Sequence, residues 1–227
     1  MMDFLNDLVT NPGITKAMWP ATIETLQMVA ISGIFTALIG LPLGILLLNT
    51  AKDGLTPNKP LNVVLSGIIV NITRSIPFAI LMVSLIPFAK FVVGVSLGPV
   101  AASVSLTIGT IPFFARLVET ALREVSAGKI DAALVMGSTK MQIIRKVLVP
   151  EAMPGIVAAS TTTLVTLIGY SAMAGLVGGG GLGRLAYNYG FQRYEPAIMV
   201  VTIVIMVLMV QIVQIIGDRI ARLVDHR

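Results

Sequence analysis

Few residues in this chain have side chains that do chemistry. It contains no cysteine and a single histidine, His226, beside the C-terminus. Disulfides, thiolate metal sites and cysteine nucleophiles are therefore excluded, and nothing orients an imidazole at a chain end. No nucleophile–base pair or metal-ligand cluster stands out, so no catalytic, cofactor-binding or metal-binding residue is assigned. Residues 178–183 trace the G-x-x-x-x-G outline of a phosphate loop. Arg184 and Leu185 stand where a lysine and a hydroxyl residue are needed, so this chain is not expected to hydrolyse ATP. The run reads instead as a close-packed or flexible turn, or as part of an outer gate or docking surface. The remaining candidates sit in apolar surroundings. Arg74 is the one formal charge inside an otherwise apolar region, where such a group costs about 2.5–3.5 kcal/mol at a helix centre. It caps a bent helix near Pro77 or snorkels to an interface, or else it lines a path or bonds a second copy of the chain. Asn71, Thr73 and Ser75 offer it acceptors. Tyr170, Ser171 and Met173, with Thr161, Thr162, Thr163 and Thr166 earlier in the same segment, offer weak polar contacts within an otherwise apolar stretch. Hydroxyls bonding back to their own helix are the alternative. The twelve methionines fill gaps between helices as readily as they would mark a substrate.

The elements that must position these residues follow from composition. Of 227 residues, 56% are hydrophobic and 12% charged, with a mean hydropathy of +0.91. Soluble domains carry about 45–50% apolar and about 25% charged residues, so this chain belongs in a membrane. Five stretches are long and nearly free of charge: residues 25–51, 60–89 (interrupted by Arg74), 91–115, 152–183 and 196–217. A bilayer core about 30 Å thick needs about 20 helical residues, and no ten-residue in–out alternation suggests a barrel. The fold class is an all-α membrane protein with five transmembrane helices. The second stretch is read as one long crossing bent near Pro77. The first starts too late and is too long for a cleaved signal sequence. Residues 1–20, with Trp19 and the turn signal Asn11-Pro12-Gly13, form an N-terminal outer-surface segment, residues 21–217 the transmembrane domain and residues 218–227 a cytoplasmic tail.

Charge distribution orients the bundle. One set of loops holds Lys52, Lys59, Arg116, Arg123, Lys129, Lys140, Arg145, Lys146, Arg219, Arg222 and Arg227; the other holds Lys16, Lys90, Arg184 and Arg193. Positive charge accumulates on the cytoplasmic side, which places the N-terminus outside and the C-terminus inside. The net charge of +5 thus reads as topology and attraction to anionic lipid. No basic run interleaved with aromatics suggests nucleic acid.

The one long charged loop, from about Arg116 to Glu151, lies on the predicted cytoplasmic side. Arg116, Glu119 and Arg123 are spaced to pair along a helix that continues the third span. That helix should end near Ser126-Ala127-Gly128. Residues 131–136 then read as a helix of fewer than two turns, with Asp131 in its first turn and Gly137 as its stop. Thr139 and Gln142 stand at capping-box spacing, opening a further helix with Met141, Ile144, Val147 and Leu148 on one face. A short exposed helix between two spans is a handle on which a soluble partner can push.

This loop resembles the EAA loop of ABC-importer permeases, written E-A-A-x3-G-x9-I-x-L-P. Asp131-Ala132-Ala133, Gly137 and Val147-Leu148-Val149-Pro150 keep the spacing, with Asp131, Val147 and Val149 as conservative departures. Residues 71–78, 144–152, 169–175, 181–183 and 189–194 are similar to the methionine-import permease subfamily, and the similarity covers the chain after about residue 20. The resemblance implies a type I importer permease of a bacterial inner membrane. It would form a homodimer, pair with two cytoplasmic ATP-binding subunits and receive methionine from an outer substrate-binding lipoprotein. It also implies that the loop at about 126–151 couples to the ATPase through Asp131, Ala132, Ala133, Met136, Gly137 and Pro150. Arg74, Tyr170, Ser171 and Met173 are then the candidates for the translocation path. Import of another amino acid or small polar solute is the near alternative. A secondary transporter is more distant, since no Asp or Glu lies in the five stretches.

Overall fold

The computed structural model describes residue 11 and residues 13–225, and no strand occurs among them. Helix α1 (Gly13–Thr50) is long enough, at ~1.5 Å per residue, to extend well past the bilayer core. The predicted outer-surface segment is therefore helical from residue 13 onward; residues 1–10, Pro12, His226 and Arg227 lie outside the described part. Trp19, 71% exposed, sits in the early turns of α1.

The second stretch departs from expectation. Helix α2 (Lys59–Ser75) is opened by Asn58, whose side chain accepts from the Leu61 N–H, and by Pro60 in its first turn. The chain then turns by 98° into α3 (Phe78–Ser84). Pro77 causes the break: it has no N–H to give and forces its predecessor out of helical geometry. The predicted bend is therefore a broken crossing. A short α4 (Ile86–Val93) follows and stops at Gly94, φ +78. Helix α5 (Pro99–Arg123) is the third span; its predicted start at residue 91 is corrected to 99, because Gly94 and Gly98, both at positive φ, interrupt the helix without introducing a charge.

Helices α6 (Ala127–Val135) and α7 (residues 140–151) form the long loop. Helix α8 (Met153–Leu176) is the fourth span, α9 occupies residues 181–191, and α10 (Pro196–Leu223) is the fifth span. Among the described residues four helices, α1, α5, α8 and α10, are each long and apolar enough to cross a membrane, and the α2–α3 pair brings the number to five when it is counted as one bent span.

The contacts divide into two units, and the boundary falls within the long spans. One comprises Ile76–Gly109, Leu164–Val213 and the described residues up to Phe35. Its interior is built from Met28, Met82, Leu106, Leu167 and Ile168, with a second cluster at Met18, Leu182 and Ile198. The other comprises Thr36–Ser75, Thr110–Thr163 and the described residues from Gln214 onward. Its core joins Phe114, Val118 and Leu122 of α5 to Ala133 of α6, Ile143 and Leu148 of α7 and Ile156 of α8. Close helix approach in this unit depends on glycines: a Cβ on Gly44 would lie 2.7 Å from the Ala115 carbonyl, and one on Gly40 2.7 Å from the Phe114 ring. Along α10, Ile203, Val204, Val207, Leu208, Ile212 and Ile216 remain about half exposed, the outward face expected of a helix solvated by lipid.

Candidate coupling loop and translocation path

The third span does run on as a charged helix. Glu119 accepts from Arg116 Nη1 at 2.7 Å and from Arg123 Nη2 at 2.7 Å. Ala127 and Gly128, read as the end of that helix, instead open α6. Asp131 is consequently in the middle of a nine-residue helix and not in its first turn, and no acid occupies that turn. Helix α6 stops at Gly137 for a definable reason. The Ser138 N–H donates to the Ala133 carbonyl (3.0 Å) and the Gly137 N–H to the Leu134 carbonyl (2.9 Å), with Gly137 at φ +77. This pair of bonds satisfies carbonyls that a helix end otherwise leaves open and needs a left-handed residue at that position. The predicted capping box is present: Gln142 N–H donates to Thr139 Oγ1 at 3.3 Å, and Thr139 N–H to Gln142 Oε1 at 2.7 Å.

The faces of α6 are sharply divided. Ala133 is buried against the loop core, whereas Val135 and Met136 are 89% and 77% exposed. Asp131, Ala132, Gly137 and Pro150 are also exposed. Lys129 clamps α6 to the end of α7 through Glu151 at 2.5 Å. Inside this unit a cavity of about 420 Å³ lies behind the loop, lined by Asn49, Asp53, Arg123, Asp131 and Lys140 above an apolar floor that includes Leu122 and Leu148. The arrangement has the form of a handle: one face packed, one apolar tip presented, and the turn between its two helices fixed by specific hydrogen bonds.

The path candidates are distributed over both units. Arg74 is exposed near the end of α2. Of the neighbours expected to bond it, Thr73 donates to Ile69 O, Ser75 donates to Asn71 O, and Asn71 Oδ1 accepts from Arg116. Tyr170, partly exposed on α8, stacks on Phe78 with ring centroids 3.9 Å apart and planes 6° from parallel. Ser171 is buried and donates to Ile168 O at 2.7 Å. Thr161, Thr162 and Thr163 likewise bond back to the carbonyls four residues earlier. Met173 lines an apolar groove of about 460 Å³ with Leu176, Tyr187, Phe191, Met199 and Met206.

The glycine run is packed tightly. Gly178, Gly180 and Gly181 have φ of +92, +86 and +74. The Gly181 N–H donates to Glu24 Oε2 at 2.6 Å and the Leu182 N–H to Thr25 Oγ1 at 2.9 Å, which fastens the start of α9 to α1. Any Cβ on Gly183 would collide with the Ala172 backbone. Backbone amides that would face a phosphate in a nucleotide loop are thus spent on α1. Sequence reasoning missed Glu24 as the partner of this turn; nothing in a helical run signals a bond to a segment 157 positions away. It also missed the reach of Arg116 to Ser66 and Asn71 on α2, at 2.9 and 3.1 Å. No grouping of His, Cys, Asp or Glu suited to a metal ion occurs among the described residues.

Four long apolar helices with a bent fifth pair, and a stopped, exposed helix between α5 and α8, define a class. The chain belongs to the family of binding-protein-dependent transport system inner membrane components, whose profile matches residues 40–227. Within that family its likeness is to methionine permeases. It is 57% identical over 207 residues to the probable D-methionine transport system permease protein MetI of Vibrio cholerae, covering 91% of this chain and 92% of that one. It is 50% identical to the methionine import system permease protein MetP of Bacillus subtilis, covering 92% and 94%. Among solved structures, a chain from inward-facing conformations of the MetNI methionine ABC transporter superposes with TM-score 0.92 at 48% identity, covering 96% of this chain and all of that one. An amino acid ABC transporter at 20% identity and TM-score 0.77 shares the fold.

Proposed function

We propose that the chain is the membrane-spanning subunit of an ATP-driven methionine importer, working as a pair of copies with two cytoplasmic ATP-binding subunits. ATP hydrolysis belongs to those partners, and an outer substrate-binding lipoprotein delivers the amino acid. The observation that carries this reading is whole-chain likeness, in sequence and in fold, to a methionine transporter's permease.

Within that function, α6 and α7 form the coupling element, with Asp131, Ala132, Ala133, Met136, Gly137 and Pro150 as its key positions. The exposed Val135 and Met136 tip favours docking in a groove of the ATPase, where apolar area withdrawn from water contributes about 25 cal/mol per Å². Closure of the ATPase pair then carries α6, and the helices continuous with it, between two states. Energy enters because the partner binds those states unequally. The lysine and arginine bias supports an outer N-terminus and a cytoplasmic C-terminus, with the loop on the ATPase side. Arg74, Tyr170, Ser171 and Met173 remain the proposed path residues. Tyr170 and Met173 have exposed surface to offer; Ser171 would act only after giving up its bond to Ile168.

The test is reconstitution. The permease co-expressed with its ATPase subunits should co-purify with them and, in vesicles supplied with the binding protein, take up labelled methionine only with ATP. Unlabelled methionine should compete better than other amino acids. Uptake displaced equally by a different amino acid would reassign the substrate, and failure of the ATPase to co-purify would overturn the coupling role.

A further inference from the structure

We infer that Arg116, held in place by the buried Glu119, is a positioning residue that locks α2 to the cytoplasmic part of α5, so that movement at the coupling loop is transmitted to the broken crossing. This inference rests on the coupling role proposed for the loop.

Glu119 lies on α5 with a side chain only 5% exposed, and both its oxygens are used. Oε1 accepts from Arg123 Nε at 3.1 Å and Nη2 at 2.7 Å, while Oε2 accepts from Arg116 Nη1 at 2.7 Å. Pairs of this spacing are common decoration on exposed helices. Here the acid is buried, and one of its cations points away from its own helix. The second nitrogen of Arg116, Nη2, donates to Ser66 Oγ at 2.9 Å and to Asn71 Oδ1 at 3.1 Å, both on α2. A planar guanidinium presents two edges at once, which a lysine cannot do. Glu119 fixes one edge, and the other is thereby aimed.

Helix α2 needs such a tie because its packing is thin. Val70 is its only buried residue. Asn62 secures its beginning by donating to Leu47 O and Thr50 Oγ1. Its far end, which carries Arg74 and leads into the Pro77 break, is held by Val70, packed with Leu47 and Ala115, and by the polar tie to Arg116. On the other side of Glu119, Arg123 lines the cavity behind the loop together with Asp131 of α6. A single carboxylate therefore joins the cation next to the coupling helix to the cation that holds α2. Spatial continuity alone does not establish coupling, so the test removes one tie and leaves the rest intact.

The double variant Ser66→Ala/Asn71→Leu deletes the two acceptors on α2 while Arg116, Glu119 and Arg123 keep one another, so no buried charge is stranded. In vesicles with ATPase subunits and binding protein, we expect assembly and stimulated ATP hydrolysis within twofold of the unaltered protein. Methionine taken up per ATP hydrolysed should fall at least fivefold. Arg116→Lys, which retains the charge beside Glu119 but loses the fork, should lower the same ratio. An unchanged ratio in the double variant overturns the inference, as does a parallel fall of uptake and hydrolysis or a failure to assemble, either of which would mark the tie as structural only. Gly137→Ala, measured alongside, separates the two readings. If it lowers stimulated hydrolysis while the double variant keeps its ratio, the positioning role fails and the coupling loop stands. If Gly137→Ala changes nothing, the coupling reading fails and takes this inference with it.

Discussion

Gly137 gives the sharpest test of how the loop works, because its structure separates two explanations that a deletion would merge. It sits at φ +77, and a Cβ built on it meets nothing within 4 Å. Any substitution is therefore penalised through the backbone and not through collision within the chain. An L-residue held in left-handed geometry costs roughly 1–2 kcal/mol, a factor of about 5–30 in the population of the intact helix end. Asparagine tolerates this conformation better than alanine, and a β-branched residue tolerates it worst. Substrate-stimulated ATP hydrolysis of the assembled transporter should therefore rank Gly137 and Gly137→Asn above Gly137→Ala, and Gly137→Ala above Gly137→Val. Membrane insertion, followed by the amount of protein recovered in the bilayer fraction, should be equal in all four. The reverse order, with the larger asparagine worse than alanine, would refute the argument: it would mean that close approach of the ATPase, and not the handedness of the turn, selects glycine here.

Three further outcomes follow from the contacts. Glu24→Ala strands the Gly181 N–H now bonded at 2.6 Å, at a cost of about 1–3 kcal/mol; the thermal unfolding midpoint in detergent should drop, and Glu24→Gln should recover part of the loss. Gly183→Ala forces a Cβ into the Ala172 backbone, an overpacking cost of about 1–3 kcal/mol, whereas Gly169→Ala, open within 4 Å, should leave the midpoint unchanged. Tyr170→Phe keeps the stack on Phe78 at 3.9 Å and should leave stability unaltered, but methionine uptake should fall severalfold because the hydroxyl proposed to face the path is gone; unaltered uptake would remove Tyr170 from it.

What the sequence made legible was whatever depends on local period and charge. The starts of α8 and α10 and the end of α1 were placed to within a residue of their hydrophobic runs, and the Gly137 stop and the Thr139–Gln142 box follow from spacing alone. Boundaries set by backbone conformation were not visible to a search for charge. Residues 91–98 are as apolar as a span, yet two glycines at positive φ end one helix and precede another. Helix α6 begins four residues before Asp131, because Ser126-Ala127-Gly128, whose glycine reads as a stop, instead opens a helix without a side-chain cap bond from Ser126. Long-range polar ties were out of reach entirely. Asn71 and Ser66 sit 45 and 50 positions from Arg116, and proximity in sequence pointed to Arg74 as the natural partner of Asn71.

The thin packing of α2 also bears on how the chain is made. A ribosome delivers ~5–20 residues per second, and Arg116 is 41 residues beyond Ser75. Helix α2 therefore leaves the exit tunnel ~2–8 s before the side chain that secures it emerges in turn. During that interval it is a short segment with Arg74 near one end, a proline break behind it and a single residue destined for burial. Its hold on the bilayer must be provisional until α5 arrives, which makes the pair α2–α5, and not either helix alone, the unit that membrane integration has to complete.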